Sequence, residues 1–240
     1  MPTPRLKIAE RFRSLQGEGL WVGTPSSFVR TTGCNLRCRW CDTPGTSWAP
    51  EGTWMSVDEL VEWCSAGPPD VVVTGGEPLL QPAVVPLTRG LATRGRVVTV
   101  ETAGTVWRDG LSCHLASLSP KLSHARPAAP RRGLAARHEA TRWRPEILRR
   151  FMDAFSWQLK LVVRADDADA RAEDLAEVDD MVATLEVEGA DRSRVLLMPE
   201  GTDPDRLRAG MRALAPICLE RGFRLGQRLH IELYGHRPGT

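Results

Sequence analysis

The chain of 240 residues has no run of about 18 apolar residues, the length a membrane-spanning helix needs, and no basic N-terminal stretch leading into an apolar segment. Neither a membrane span nor a secretory leader is expected, and the chain reads as cytoplasmic. It also has little net charge, +2, so composition offers no electrostatic footprint for nucleic acid. Lysine is scarce, three among 32 basic residues. So uniform a preference for arginine reads as coding bias, not as a binding surface. Against it Lys121 and Lys160 stand out, each at or in an expected strand, while Lys7 near the N-terminus reads as incidental. A chain of this length can bury a full core and has no need of disulfides, so its six cysteines call for another explanation. Cys64, Cys113 and Cys218 are expected as inert core residues.

The other three cysteines, Cys34, Cys38 and Cys41, fall within Gly33 to Thr43. A loop this short can turn all three sulfurs towards one point. Thiolates suit zinc, copper(I) and iron–sulfur clusters, and clusters usually take four such ligands. Here a fourth is missing nearby. A cubane held by three protein thiolates keeps one iron open for the amine and carboxylate of a small molecule. A structural zinc completed by a distant Cys or His, or three unrelated core cysteines, remain alternatives at this point.

Elsewhere apolar strands alternate with helices. Leu6 to Ser14 alternates as a half-buried strand and leads into Leu15-Gln16-Gly17-Glu18-Gly19, and Ser27 to Thr32 is a strand that delivers Arg30, whose guanidinium could clamp a carboxylate. Ser56 to Ala66 reads as a helix opened by a Ser56/Glu59 capping box. The buried strand Val71 to Val73 ends in Thr74-Gly75-Gly76-Glu77-Pro78, with a helix expected over Leu79 to Arg94. Short strands at 97–100, 115–118 and 195–197 run into Glu101-Thr102-Ala103-Gly104, Ser119-Pro120-Lys121 and Met198-Pro199-Glu200-Gly201, and a further strand at 157–163 carries Lys160. Strands that repeatedly end in small polar motifs are the way parallel α/β barrels build sites. Helices are expected over Asp174 to Glu188 and from Pro204, capped by Thr202 or Asp203, with a kink or break at Pro216 near Ala215. Arg228 to Tyr234 reads as a closing strand with His230 and Glu232 on one face. Leu122 to Arg150, rich in Pro, Ala and Arg, shows no clear pattern. Its His124 and His138 read as incidental in a solvated loop; a lid, or a docking surface for a reductant, is the sharper alternative.

The cysteine spacing with Trp40 before Cys41 resembles the radical S-adenosylmethionine (SAM) enzymes. Taken with Leu-Gln-Gly-Glu-Gly at 15–19, Arg30, Asp42-Thr43, Thr-Gly-Gly-Glu-Pro at 74–78, Glu-Thr-Ala-Gly at 101–104 and Ser-Pro-Lys at 119–121, the chain resembles the 7-carboxy-7-deazaguanine synthase family. Length leads to a single α/β domain over residues 1–240, and composition to a Pro/Arg-rich insertion around 122–150. The resemblance implies an incomplete, TIM-like α/β barrel of about six parallel strands as its fold. It further implies that a SAM-derived deoxyadenosyl radical contracts the ring of 6-carboxy-5,6,7,8-tetrahydropterin to 7-carboxy-7-deazaguanine, with loss of ammonia.

By that resemblance Cys34, Cys38 and Cys41 hold a 4Fe-4S cluster. Trp40, Asp42, Gly75, Gly76, Glu77, Ser119, Pro120, Lys121, Met198, Pro199, Glu200 and Gly201 take SAM. Leu15, Gln16, Gly17, Glu18, Arg30, Thr74 and Glu101 take the pterin, and Thr43 offers its hydroxyl to Mg2+. Lys121 is expected to pair with a carboxylate. The family implies a homodimer and an electron donor such as flavodoxin; no membrane or nucleic-acid partner is expected. The insertion and the tail His236 to Thr240 depart from the tightest family pattern. Rival readings are a radical SAM activating enzyme for a glycyl-radical partner, and a non-enzymatic zinc or tRNA-binding module.

Overall fold

A computed structural model describes residues 3–128 and 132–240; residues 129–131, inside the expected insertion, lie outside the described residues. In chain order the elements are β1 (Arg5–Leu15), β2 (Pro25–Thr31), α1 (Pro44–Ser47), β3 (Thr53–Ser56), α2 (Val57–Ser65), β4 (Asp70–Gly75), α3 (Val84–Thr93), β5 (Val97–Thr102), β6 (Leu115–Leu118), α4 (Arg132–Arg142), α5 (Pro145–Ala154), β7 (Trp157–Val163), α6 (Ala168–Thr184), β8 (Val195–Pro199), α7 (Pro204–Arg221), β9 (Arg224–Leu225) and α8 (Leu229–Tyr234). They form a nine-stranded sheet in the order β3-β1-β2-β4-β5-β6-β7-β8-β9.

From β2 through β4 to β9 every neighbouring pair is parallel; β1 and β3 add an antiparallel edge. The two edges, β3 and β9, are not paired with each other, so this is an incomplete TIM-like barrel. The six expected parallel strands are β2 and β4 to β8, with the two-residue β9 in addition. Parallel strands are covered on both faces and read as near-continuous apolar runs. Accordingly Val71, Val72 and Val73 are buried, and so is all of β7, including Lys160 in the middle of it.

Local chemistry explains most element ends. The capping box forms at α2: Glu59 N–H donates to Ser56 Oγ at 3.2 Å, and Ser56 N–H donates to Glu59 Oε2 at 2.7 Å. Asp203, not Thr202, caps α7, accepting from Arg206 N–H, and Gly222 ends it in the left-handed region with φ +69.

Four expectations fail, each for a local reason. The helix over Leu79 to Arg94 is split into a 3-10 turn at Pro78–Leu80 and α3, because Pro82 forces Gln81 out of the helical region, to φ −93 and ψ 111. Pro216 does not break α7. It lies on the exposed face with Arg212, so water serves the carbonyl that its missing N–H leaves free. Residues 229–234 form α8 and not a strand, since over six residues an alternating pattern does not distinguish period 2 from 3.6. His230 then turns to the interior, while Glu232 pairs with Arg208 at the surface. The fourth is the stretch 122–150, where α4 and α5 flank the junction at 143–144. His124 and His138 within it are buried, not solvated. The helix expected from Asp174 starts earlier, at Ala168, capped by Asp167. Among the described residues no helix is long and apolar enough to cross a membrane.

Candidate functional site

The carboxyl ends of the parallel strands open onto a cavity of about 770 Å³. That is the size and setting of a small-molecule site in an α/β protein. Cys34, Cys38 and Cys41 line one end of it and Gln16, Glu18, Thr74, Glu101 and Lys160 the other.

The cysteine loop is held by backbone contacts. Gly33 N–H donates to Thr46 O at 2.8 Å, and Glu77 N–H donates to Gly33 O at 2.9 Å. Gly76 must be glycine, because a Cβ there would sit 2.5 Å from Gly33 O and 2.8 Å from Cys34 Cβ. The double-glycine turn is thus the seat of the loop. From below, Arg39 N–H donates to Ala125 O at 2.9 Å, Arg37 N–H to His138 Nδ1 at 3.2 Å, and Trp48 Nε1 to Cys38 O at 3.3 Å. Leu36, Cys38, Ala103 and Ala125 form a small apolar cluster against which Cys34, Trp40 and Cys41 pack. Trp40 is stacked on His124, with ring centroids 5.7 Å apart, and Lys121 Nζ lies 5.5 Å from its ring centroid. The stretch 122–150 therefore supports the cysteine loop. No such role was visible in its composition.

None of the three cysteines is in a disulfide, and burial pushes the Cys34 thiol up to about 11 and the Cys38 thiol up to about 12. Among the described residues no three His, Cys, Asp or Glu side chains are placed to hold a single metal ion. Three soft thiolates lining one cavity are a donor set that suits a 4Fe-4S cluster. Leu36 N–H, pointing at Cys34 Sγ from 3.4 Å, is a donor that would favour a charged sulfur.

At the other end charges are interleaved. Lys160, 5% exposed, donates to Glu18 Oε2 at 2.9 Å and lies 3.5 Å from Glu101 Oε1. Glu101 accepts from Thr74 Oγ1 at 2.9 Å and from Gln16 Nε2 at 3.4 Å. Arg228 reaches Glu18 Oε1 at 3.5 Å, Asp42 Oδ2 at 3.2 Å and the Gly201 carbonyl at 3.1 Å. Burial alone would raise the Glu18 carboxyl, but Lys160, Arg228 and His230 hold it well below the usual carboxylate range. Burial would likewise lower Lys160, and Glu101 and Glu18 hold it above the ordinary amine value. Both are charged at neutral pH. Gly17 packs on His230, whose Nδ1 would lie 1.9 Å from a Cβ there, and Leu229 N–H donates to Gly17 O at 2.8 Å.

Most of the residues singled out in the sequence line this cavity: Leu15, Gly17, Arg30, Trp40, Asp42, Thr43, Gly75, Gly76, Ser119, Lys121 and Met198 besides those above. Pro120, Pro199, Glu200 and Gly201 stand just behind the lining, with Glu200 Oε2 at 3.1 Å from His124 Nδ1. Glu77 turns away into the core. Burial pushes its carboxyl up, against donors from Thr102 Oγ1 at 2.8 Å, Leu79 N–H at 3.2 Å and Ala103 N–H at 3.0 Å. Arg30 lies against Glu10 at 2.6 Å. Lys121 differs from expectation: it donates to Ser119 Oγ at 2.9 Å, and no carboxylate pairs with it among the described residues. The buried ion pair belongs to Lys160.

Arg228 and Gln158 were missed by sequence reasoning, and Lys160 and His230 were noted there without a role in the site. Gln158, fully buried, accepts from Leu20 N–H at 2.6 Å and donates to Ser117 Oγ at 2.8 Å, and so fixes the Gly-Glu-Gly loop. A polar side chain inside an apolar parallel strand was the available signal for Gln158 and Lys160.

A family model of the radical SAM superfamily matches residues 28–127. The chain is 42% identical over 238 residues to a 7-carboxy-7-deazaguanine synthase from Rhodopirellula baltica, covering 98% of this chain and 89% of that protein. It is 43% identical over 247 residues to one from Halobacterium salinarum, covering 99% and 93%. Among solved structures, QueE from Escherichia coli superposes with a TM-score of 0.66 at 25% identity, covering 94% of this chain and 95% of that one. Streptococcus suis SuiB, at 12% identity and TM-score 0.56 over 82% of this chain and 47% of its own, shares the fold alone. By its full-length relatives and by the cysteine-lined cavity that their names lead one to look for, the chain belongs to the 7-carboxy-7-deazaguanine synthase family of radical SAM enzymes.

Proposed function

We propose that the protein converts 6-carboxy-5,6,7,8-tetrahydropterin to 7-carboxy-7-deazaguanine with loss of ammonia, as a step of 7-deazapurine biosynthesis of the queuosine type. The observation that carries this reading is a single cavity joining three loop cysteines to a pair of carboxylates clamped by one lysine. Cys34, Cys38 and Cys41 would hold a 4Fe-4S cluster, which with SAM supplies a carbon-centred radical that takes a hydrogen atom and returns it.

The chain's own residues bind and orient. The backbone of Gly75 and Gly76 is bare where it faces the cavity and can accept from the methionine ammonium group. Glu77 beneath fastens that turn to Thr102 and Ala103. Trp40, Asp42, Ser119, Lys121 and Met198 line the rest of the SAM position, with Pro120, Pro199, Glu200 and Gly201 shaping its wall. Glu18, kept ionised by Lys160 and Arg228, and Glu101 beside it are acceptors suited to the paired N–H donors of a pterin. Leu15, Gln16, Gly17 and Thr74 complete that pocket, and Arg30 stands ready for the substrate carboxylate. Thr43 offers a hydroxyl to Mg2+ beside substrate oxygens. A homodimer, a flavodoxin-like electron donor and a cytoplasmic setting complete the proposal.

The cavity favours this over an activating enzyme for a glycyl-radical protein. Gln16, Glu18, Glu101 and Arg30 line it, a polar set that a partner's glycine-bearing loop would not need. Anaerobic incubation with the carboxypterin, SAM, Mg2+ and dithionite should give the deazaguanine product; a brown, four-iron protein that makes none would refute the assignment.

A further inference from the structure

The proposed chemistry needs one electron brought to the cysteine loop from outside the molecule, and the inference below rests on that reading. The cavity side of the loop is taken up by the SAM and pterin positions. An electron carrier must therefore approach from the outer side, where Arg39 projects into solvent one peptide away from Cys38.

Two further arginines are gathered there by contacts already described. Arg39 N–H is bonded to Ala125 O at 2.9 Å, which sets Arg126 beside it. Arg37 N–H is bonded to His138 Nδ1 at 3.2 Å, which brings the turn of α4 that carries Arg137 up to the loop, and the Arg126 charge is felt at both His138 and Glu139. Arg39, Arg126 and Arg137 are exposed, and none has an ion pair or a side-chain hydrogen bond among the described residues. Elsewhere on the surface such heads are commonly engaged, as Arg150 is with Asp109, Arg194 with Asp191 and Arg208 with Glu232. The nearest acid, Glu139, is itself taken by Arg142 at 2.6 Å. The result is a local surplus of positive charge on a chain whose net charge is only +2.

We propose that Arg39, Arg126 and Arg137 form the docking face for an acidic one-electron carrier protein, seated over the cysteine loop. Complementary charge steers such a carrier and fixes its register, and the loop brings the acceptor to the contact. In the transfer the carrier's flavin or iron–sulfur centre is oxidised by one electron and the cluster is reduced by one. No bond is made or broken, and no proton has to move. A face of unpaired arginines also suits a phosphate backbone, but a chain with so small a net charge and a patch confined to the cysteine loop favours the carrier.

The test uses the cluster-loaded protein and oxidised flavodoxin as the acidic carrier. Its binding is measured by titration at low and high salt, before any turnover. The triple variant R39E/R126E/R137E should bind about tenfold or more weakly at low salt, with a flatter salt dependence. R126E/R137E, which leaves the neighbour of Cys38 untouched, should lose part of the affinity, and R212E, an exposed arginine of α7, should lose none. Dithionite should bleach the clusters of all variants equally, while flavodoxin-driven bleaching slows only in the patch variants. Undiminished binding by the triple variant, equal weakening by R212E, or a patch that binds an RNA oligonucleotide while ignoring flavodoxin would each overturn the docking face. Those results leave dithionite-driven turnover intact, whereas failure of the proposed function removes it.

Discussion

At the cysteine end of the cavity the functional atoms are placed by backbone: a loop of eleven residues seated on Gly76, pinned through Gly33 and propped by Ala125 and His138. At the carboxylate end they are placed by side chains from remote parts of the chain, Glu18, Thr74, Glu101, Lys160 and Arg228, each of which depends on the others for its charge or its direction. The first arrangement fixes shape and needs no charge of its own. The second fixes charge, and it fails if one member is lost.

Removing a cysteine should separate the two ends most sharply. Cys38→Ala is expected to lose bound iron and all turnover while leaving the fold, because Cys38 packs in a small satellite cluster; iron analysis and a thermal melt check both halves. At the other end Lys160→Met leaves Glu101 without its cation and Glu18 with Arg228 alone. Breaking a buried pair in this way costs about 3–5 kcal/mol. Iron content should stay normal, the melting temperature should drop and KM for the pterin should rise. Lys160→Arg should restore part of each.

The same network sets a pH window. Glu18 is depressed, so its contribution is present above the ordinary carboxylate value and is lost as pH falls through its lower folded value. Lys160 is raised, so its contribution is present below the ordinary amine value and is lost as pH rises through its higher folded value. Melting temperature should be level from about pH 5 to 10 on this account. Both limbs should be shallower in a Glu18→Gln/Lys160→Met double variant, and unchanged limbs would show that the charges are not coupled.

Smaller effects belong to the backbone end. Gly76→Ala drives a methyl group into Gly33 and Cys34, an overpacking worth about 1–3 kcal/mol, and should weaken iron retention before it weakens the fold. His138→Ala leaves the Arg37 N–H without its acceptor, about 1 kcal/mol, and should quicken iron loss to a chelator without moving KM for the pterin. If His138→Ala altered the pterin KM as strongly as Lys160→Met, the contrast between the two ends would be wrong.

The backbone-built end was legible in the sequence because its atoms are contiguous. Cys34, Cys38, Cys41 and the glycines that seat them lie in two short motifs, and short motifs carry their own spacing. The charged end was half legible. Gln16, Glu18, Thr74 and Glu101 belong to motifs, but Lys160 stands alone in an apolar strand and Arg228 stands at the start of a helix that read as a strand. Only the strand order puts Lys160 opposite Glu101, and only the turn into α8 brings Arg228 to Glu18. The scarcity of lysine pointed to both Lys121 and Lys160 and gave no means of telling which of them meets a carboxylate. Composition misled most over 122–150, where many prolines and arginines in the sequence gave no sign of two buried histidines.

Arg228 touches both ends, holding Asp42 beside Cys41 and Glu18 beside Lys160. A tie of that kind gives ligands at the two ends one shared side chain through which to couple, and coupling through Arg228 runs equally in both directions. Whatever loading of the cysteine loop does to affinity at Glu18, a ligand at Glu18 must do to the loop. Occupancy of either compartment can then be read from the other, for instance as protection of the loop thiols from alkylation when a pterin is bound.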